Sequence, residues 1–115
     1  VDDVRASNRP EFGRMGERLG DAVAALSEAS RFLGAALAKN PDVALAGATP
    51  YLRLFGLVAG GCYLARAALA ASRGEGDARD VALARFFAEN LVTAARGLKD
   101  AVVDGAESTL GLALA

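Results

Sequence analysis

The chain has 115 residues, 53% of them hydrophobic, with 13 basic and 14 acidic side chains, a single Cys and no His. This length suits one domain that can bury roughly 65% of its unfolded surface, and the interspersed charges lack the basic footprint of a nucleic-acid binder or the polybasic run of a membrane anchor. The missing His removes His-based acid–base catalysis, Ser-His-Asp and Cys-His nucleophiles, and most zinc and di-iron sites.

One Cys can close no disulfide within the chain, so a cytoplasmic protein is the default expectation. The chain opens Val1-Asp2-Asp3, with no Met and no apolar signal core, as expected of a processed chain or a piece of a longer one. Residues 1–10 are polar, end in Asn8-Arg9-Pro10 and predict a linker or frayed lead-in. From Glu11 a helical period begins. Phe12, Leu19, Leu26 and Leu33 recur every seven residues, with Met15, Ala22, Ala29 and Ala36 between them. That alternation of threes and fours predicts a bundle helix, stopped near Asn40-Pro41.

Pro41 to Ala48 predicts a short connector of one or two helical turns. Thr49-Pro50 then marks a helix start, with Thr as cap and Pro at the first helical position. The second helix is expected to run to about Ser72 and to stop at Arg73-Gly74. Asp77 is the expected N-cap of a third helix with the seam Val81, Ala84, Phe87, Leu91, Ala95, Leu98 and Val102. Past Gly105 the pattern weakens, and residues 106–115 form a tail without a predicted place. The fold expected is all-α: an up-down antiparallel bundle of three main helices over residues 11–105, with room for a short fourth helix before or after the second.

The second helix is apolar nearly all round. Its expected core seam is Tyr51, Phe55, Val58, Cys62, Ala65 and Leu69. Its other side holds Leu52, Gly56, Leu57, Gly60, Tyr63 and Leu64. Such a helix is buried on more than one side or spans a membrane. Only 12 residues between Arg53 and Arg66 lack charge, whereas a bilayer needs about 20, so no membrane partner is expected. Gly56 and Gly60, with Gly61 following, lower helix propensity by roughly 1 kcal/mol each against Ala. They favour a close neighbour, and Leu52, Gly56, Leu57, Gly60 and Leu64 are the candidate interface. Phe32 and Phe86 lie off the seams of their own helices and add to the apolar surface to be covered.

Other candidates have plainer readings. Cys62 fits a buried inert thiol, since a reactive one needs an electropositive setting. Glu17, Asp21 and Glu28 fit a solvated face rather than metal ligands. Gly56 to Gly61 has no preceding strand and no Lys-Ser/Thr pair, so it is no phosphate loop. Arg53 and Arg66 fit structural ion pairs better than an anion site. The expectation is therefore no catalytic, cofactor-binding or metal-ligating residue in this chain.

The run Ala46-Gly47-Ala48-Thr49-Pro50-Tyr51-Leu52-Arg53-Leu54-Phe55-Gly56-Leu57-Val58-Ala59-Gly60-Gly61 resembles the signature segment of the extra C-terminal domain of a class of bacterial acyl-CoA dehydrogenases. That class includes enzymes acting on 3-methylmercaptopropionyl-CoA. Leu19-Gly20-Asp21-Ala22, Gly76-Asp77-Ala78 and Ala84-Arg85-Phe86-Phe87-Ala88-Glu89 agree, and the resemblance covers about Glu17 to Gly105. It implies a parent oxidoreductase that converts an acyl-CoA to a 2,3-enoyl-CoA, a Glu taking the α-proton and FAD the hydride. The flavin site and the base would lie in preceding domains, so FAD and acyl-CoA belong to the parent only. The resemblance further implies that the module packs on the remainder of the parent chain or at a subunit interface of a homo-oligomer. The contrasting expectations are a free-standing helical dimerisation module and, more remotely, a carrier that holds an acyl chain between helices.

Overall fold

A computed structural model describes residues 1–7 and 9–114. Among these the chain is all-helical: α1 (Asp2–Ser7), a 3-10 turn (Pro10–Phe12), α2 (Met15–Lys39), α3 (Pro41–Ala46), α4 (Ala48–Ser72), α5 (Ala78–Asn90), a second 3-10 turn (Val92–Ala94), α6 (Ala95–Asp104) and α7 (Ala106–Leu114). Asn8 and Ala115, which belong to the expected lead-in and tail, lie outside the described residues.

The two 25-residue helices, α2 and α4, each extend about 37 Å and form the frame. Their register is antiparallel. Ser30 of α2 shares a hydrogen bond of 2.8 Å with the Tyr51 hydroxyl near the start of α4, while Leu19 of α2 meets Gly61 further along it. The α5–α6 segment runs back parallel to α2: Arg85 and Glu89 lie beside Gly13, and Lys99 reaches Glu28 at 3.6 Å. The molecule is long and thin, 56 × 24 × 18 Å.

The expected first-helix seam is largely the one found. Phe12, Met15, Leu19, Ala22, Ala29 and Ala36 are buried, and Leu26 and Leu33 pack against the core. The helix proper begins at Met15 rather than Glu11, because Pro10 and Gly13, at φ 55°, force a 3-10 turn first.

Three expectations are corrected. The lead-in is not a linker over its described residues: α1 buries Val4, and Arg5 crosses Gly16 and Gly20, where any Cβ would collide with it. Thr49 is not a cap. Helix α4 starts two residues earlier, with Gly47 at the N-cap and no side-chain cap bond. Pro50 is then the third helical residue, where its missing N–H still has no intrahelical partner to lose. The third helix is not continuous. Asn90 donates from its amide to the Phe86 carbonyl (3.0 Å), and Thr93 donates from its hydroxyl to the Asn90 carbonyl (3.2 Å). These side-chain bonds compete with the regular ladder, the backbone tightens, and Val92 turns inward to 2% exposure while Leu91, placed in the expected seam, is 45% exposed. A bundle of three main helices thus describes the sequence pattern better than the observed elements.

The ends of α4 and α5 are built as the residues dictate. Gly74 has φ 84°; its N–H donates to the Ala71 carbonyl at 3.1 Å, and that of Glu75 donates to Ala70 at 2.9 Å. The pair forms a Schellman stop. The Asp77 carboxylate accepts from the Arg79 N–H at 2.9 Å, and Asp80 accepts from the Asp77 N–H at 3.1 Å, a reciprocal capping box. Helix α7 packs on α3 and α6, with Ala106 buried, so the tail has a place.

Candidate functional site

Helix α4 turns one narrow stripe to the core: Leu54, Val58, Gly61, Ala65 and Ala68 are buried, at spacings of four, three, four and three. The expected seam was rotated by roughly a sixth of a turn. Phe55, assigned to it, is 52% exposed, and Tyr51, Cys62 and Leu69 are half-buried on its flank. Leu54, Gly61 and Ala68 are the residues the periodicity missed. With apolar residues on every side, α4 offered no polar contrast to fix its rotation.

The five candidate interface residues fall into two groups. Leu52 is 71% exposed, and around Gly56 nothing lies within 4 Å of where a Cβ would stand. Leu57 and Leu64 instead pack against the core, and a Cβ on Gly60 would stand 3.6 Å from the Phe87 ring of α5. The outward stripe is completed by Phe55 and by Tyr63, 69% exposed, whose ring lies 5.7 Å from the Arg66 guanidinium carbon. Such a cation–π contact adds to the stiffness of the face. The pair of Gly expected to face one partner is therefore divided: Gly60 inward to α5, Gly56 outward.

The other candidates have these places. Neither Arg53 nor Arg66 forms an ion pair among the described residues, against expectation; Arg66 has an aromatic partner instead. Cys62 is half-buried rather than buried. Glu17 accepts from Arg14 at 2.7 Å, and that bond, reinforced by the charge, holds its carboxyl below the usual range. Glu89 is lowered likewise by Arg85, which donates to it at 2.9 Å. Lys99 sits above its usual value, held by Asp100 at 2.6 Å. Phe32 packs against the core, while Phe86 and Leu83 of α5 are more than half exposed. By length and composition α4 could cross a bilayer, but its core stripe is packed into the chain. No group of three or more His, Cys, Asp or Glu among the described residues could hold a metal.

Fold and surface together define a small all-helical module whose most distinctive feature is an apolar helix face left exposed by the described residues. The family model described as acetyl-CoA dehydrogenase C-terminal like matches residues 1–113, and the chain belongs to that family. No curated protein and no solved structure matches it.

Proposed function

We propose that this chain is the C-terminal helical domain of an FAD-dependent acyl-CoA dehydrogenase, with a packing or subunit-interface role and no chemistry of its own. The outward stripe of α4 carries the reading. Leu52, Phe55 and Tyr63 are each more than half exposed around an open Gly56, an apolar surface of the kind that marks a contact site. Leu57, Gly60 and Leu64 support that stripe from its flank. The extent of surface agrees. A folded monomer of 11.7 kDa exposes about 5,900 Å² on the usual scaling, whereas this chain exposes 7037 Å². The excess is of the order of the ~800 Å² that one partner commits to a stable interface.

The partner in this reading is the preceding dehydrogenase part of the same polypeptide, or its copy in a neighbouring subunit. Those domains would supply FAD, the base and the acyl-CoA site. The test is to read the coding frame upstream of Val1 and to co-express what it encodes with this chain. Co-purification that Leu52→Asp weakens supports the role. An upstream frame without a dehydrogenase, or an isolated chain that forms a tight dimer through the same stripe, would replace it with the free-standing dimerisation module.

A further inference from the structure

We infer that the cleft between α2 and α6 is a binding site for an oxyanion of the phosphate class, held by Arg18 and Arg96. The cleft has a volume of about 360 Å³ and carries Arg18, Asp21, Glu28, Arg96 and Lys99 over a floor of alanines and Val92. That volume is near the lower end for small-molecule sites, enough for a tetrahedral anion and a short ester remainder.

The cations of this cleft are unevenly used. Lys99 is taken by Asp100 at 2.6 Å and Glu28 at 3.6 Å. Arg18 and Arg96, like most arginines of the chain, form no ion pair among the described residues. The Arg18 Nε is moreover fully buried and has no acceptor. A buried guanidinium N–H without an acceptor is unfavourable. An oxyanion in the cleft would supply one once the Arg18 side chain turns its Nε edge toward the opening, because the guanidinium edge donates two parallel bonds to such a group. Two free cations, with a third nearby, match a dianion better than a single carboxylate. Asp21 and Glu28 oppose entry and keep the affinity modest; Glu28 also competes for Lys99. Since α2 and α6 each contribute one arginine, the site exists only when the two helices are docked. This inference is independent of the α4 face.

The experiment is an amide-shift titration of the 115-residue chain with inorganic phosphate and, in a separate arm, glycerol 3-phosphate, at ionic strength held constant with potassium chloride. Saturable shifts at the Arg18, Thr93 and Arg96 amides are expected in at least one arm. Tighter saturation by the ester identifies an organic phosphate as the ligand, and equal saturation identifies free phosphate. Arg18→Met, which keeps the aliphatic stem, should weaken binding about tenfold or more. Its unliganded melting temperature should not fall, because the orphaned donor is removed. Glu28→Gln should tighten binding by freeing Lys99. Should Arg18→Met fold poorly, Arg96→Gln on the exposed start of α6 carries the same readout. Shifts that stay linear in both arms, or equal affinity in the wild type and in a folded Arg18 or Arg96 variant, would overturn the assignment.

Discussion

Gly61 on α4 faces Leu19 on α2 so closely that a Cβ on the glycine would stand 2.8 Å from Leu19 Cδ2, with Val92 Cγ2 at 3.1 Å on its other side. Leu19 is wholly buried and Val92 nearly so, so neither methyl can swing into solvent. The absent side chain sets how near the two long helices approach. Gly61→Leu should therefore lower stability by about 1–3 kcal/mol or more through overpacking, outweighing a helix-propensity gain of roughly 1 kcal/mol. The midpoint of urea unfolding measures it; an unchanged midpoint would show that the helices separate at little cost.

Gly56 gives the opposite expectation. Nothing lies within 4 Å of its Cβ position, so Gly56→Leu in the isolated chain should be neutral or stabilising by up to about 1 kcal/mol. The same variant should weaken docking on the dehydrogenase part under the proposed role. A variant that melts lower as an isolated monomer would show that Gly56 is already covered.

Asp77 and Asp80 cap α5 reciprocally. Replacing Asp77 with Ala leaves first-turn N–H groups without an acceptor and should cost about 1 kcal/mol. Chemical denaturation of Asp77→Ala and Asp77→Ser separates the missing bond from a general surface effect, since Ser caps nearly as well. Equal losses for both variants would argue against the cap.

The carboxyls of Glu17 and Glu89 are held below their ordinary value of 4.5 by Arg14 and Arg85 respectively. A depressed native pKa contributes stability above the unfolded value and loses it as pH falls through the native one. The melting temperature should thus be level near neutrality and fall on acidification through about pH 4.5, the value at which free glutamates are half protonated. Glu89→Gln should flatten that fall. An acid limb of the same slope in wild type and variant would remove the pair from the account.

The Ser30–Tyr51 hydrogen bond pins the α3 end of the α2–α4 pair. Tyr51→Phe keeps the ring and removes the hydroxyl, so it should cost about 0.5–1.5 kcal/mol. Ser30→Ala combined with Tyr51→Phe should cost little more than either alone, because both delete one bond. Additive losses in this double-mutant cycle would show that the two hydroxyls do not interact.

The sequence carried α2, the stop of α4 and the cap of α5 well because polar contrast and turn chemistry are local. Glu17, Asp21 and Glu28 opposite Leu19, Ala22 and Ala29 leave one way to turn the helix. Gly74 and Asp77 announce a stop and a start by their own backbone and side-chain preferences. Helix α4 had no such contrast, so its rotation depended on tertiary contacts: Leu54, Gly61 and Ala68 went unseen, and Phe55 was turned inward. The break at Leu91–Ala94 escaped notice because Asn90 and Thr93 are ordinary helix-surface residues until their side chains bond to the backbone. Docking of α1 escaped as well, since one valine and one arginine over Gly16 and Gly20 form no periodic pattern. Of the candidate face, Leu52 and Gly56 were legible as outward residues, while Gly60 was drawn to the Phe87 ring by a contact no spacing rule contains.

The small side chains of the interior bear on how the chain resists denaturant. Ala22, Ala25, Ala29, Ala65, Ala68, Ala84, Ala88 and Ala95 make up much of what is buried, and among the described residues no polar or charged one joins them. Alanine contacts let helix axes approach to the short end of the usual 8–10 Å range, so each turn removes little area from water. Urea sensitivity and the heat-capacity change of unfolding both scale with the area newly exposed. A thin molecule with alanine at its contacts and several large apolar side chains already in solvent has little left to expose. Its unfolding should be a shallow transition, with an m-value and a heat-capacity step below those of an ordinary domain of 115 residues, both steepening once the face of α4 is covered.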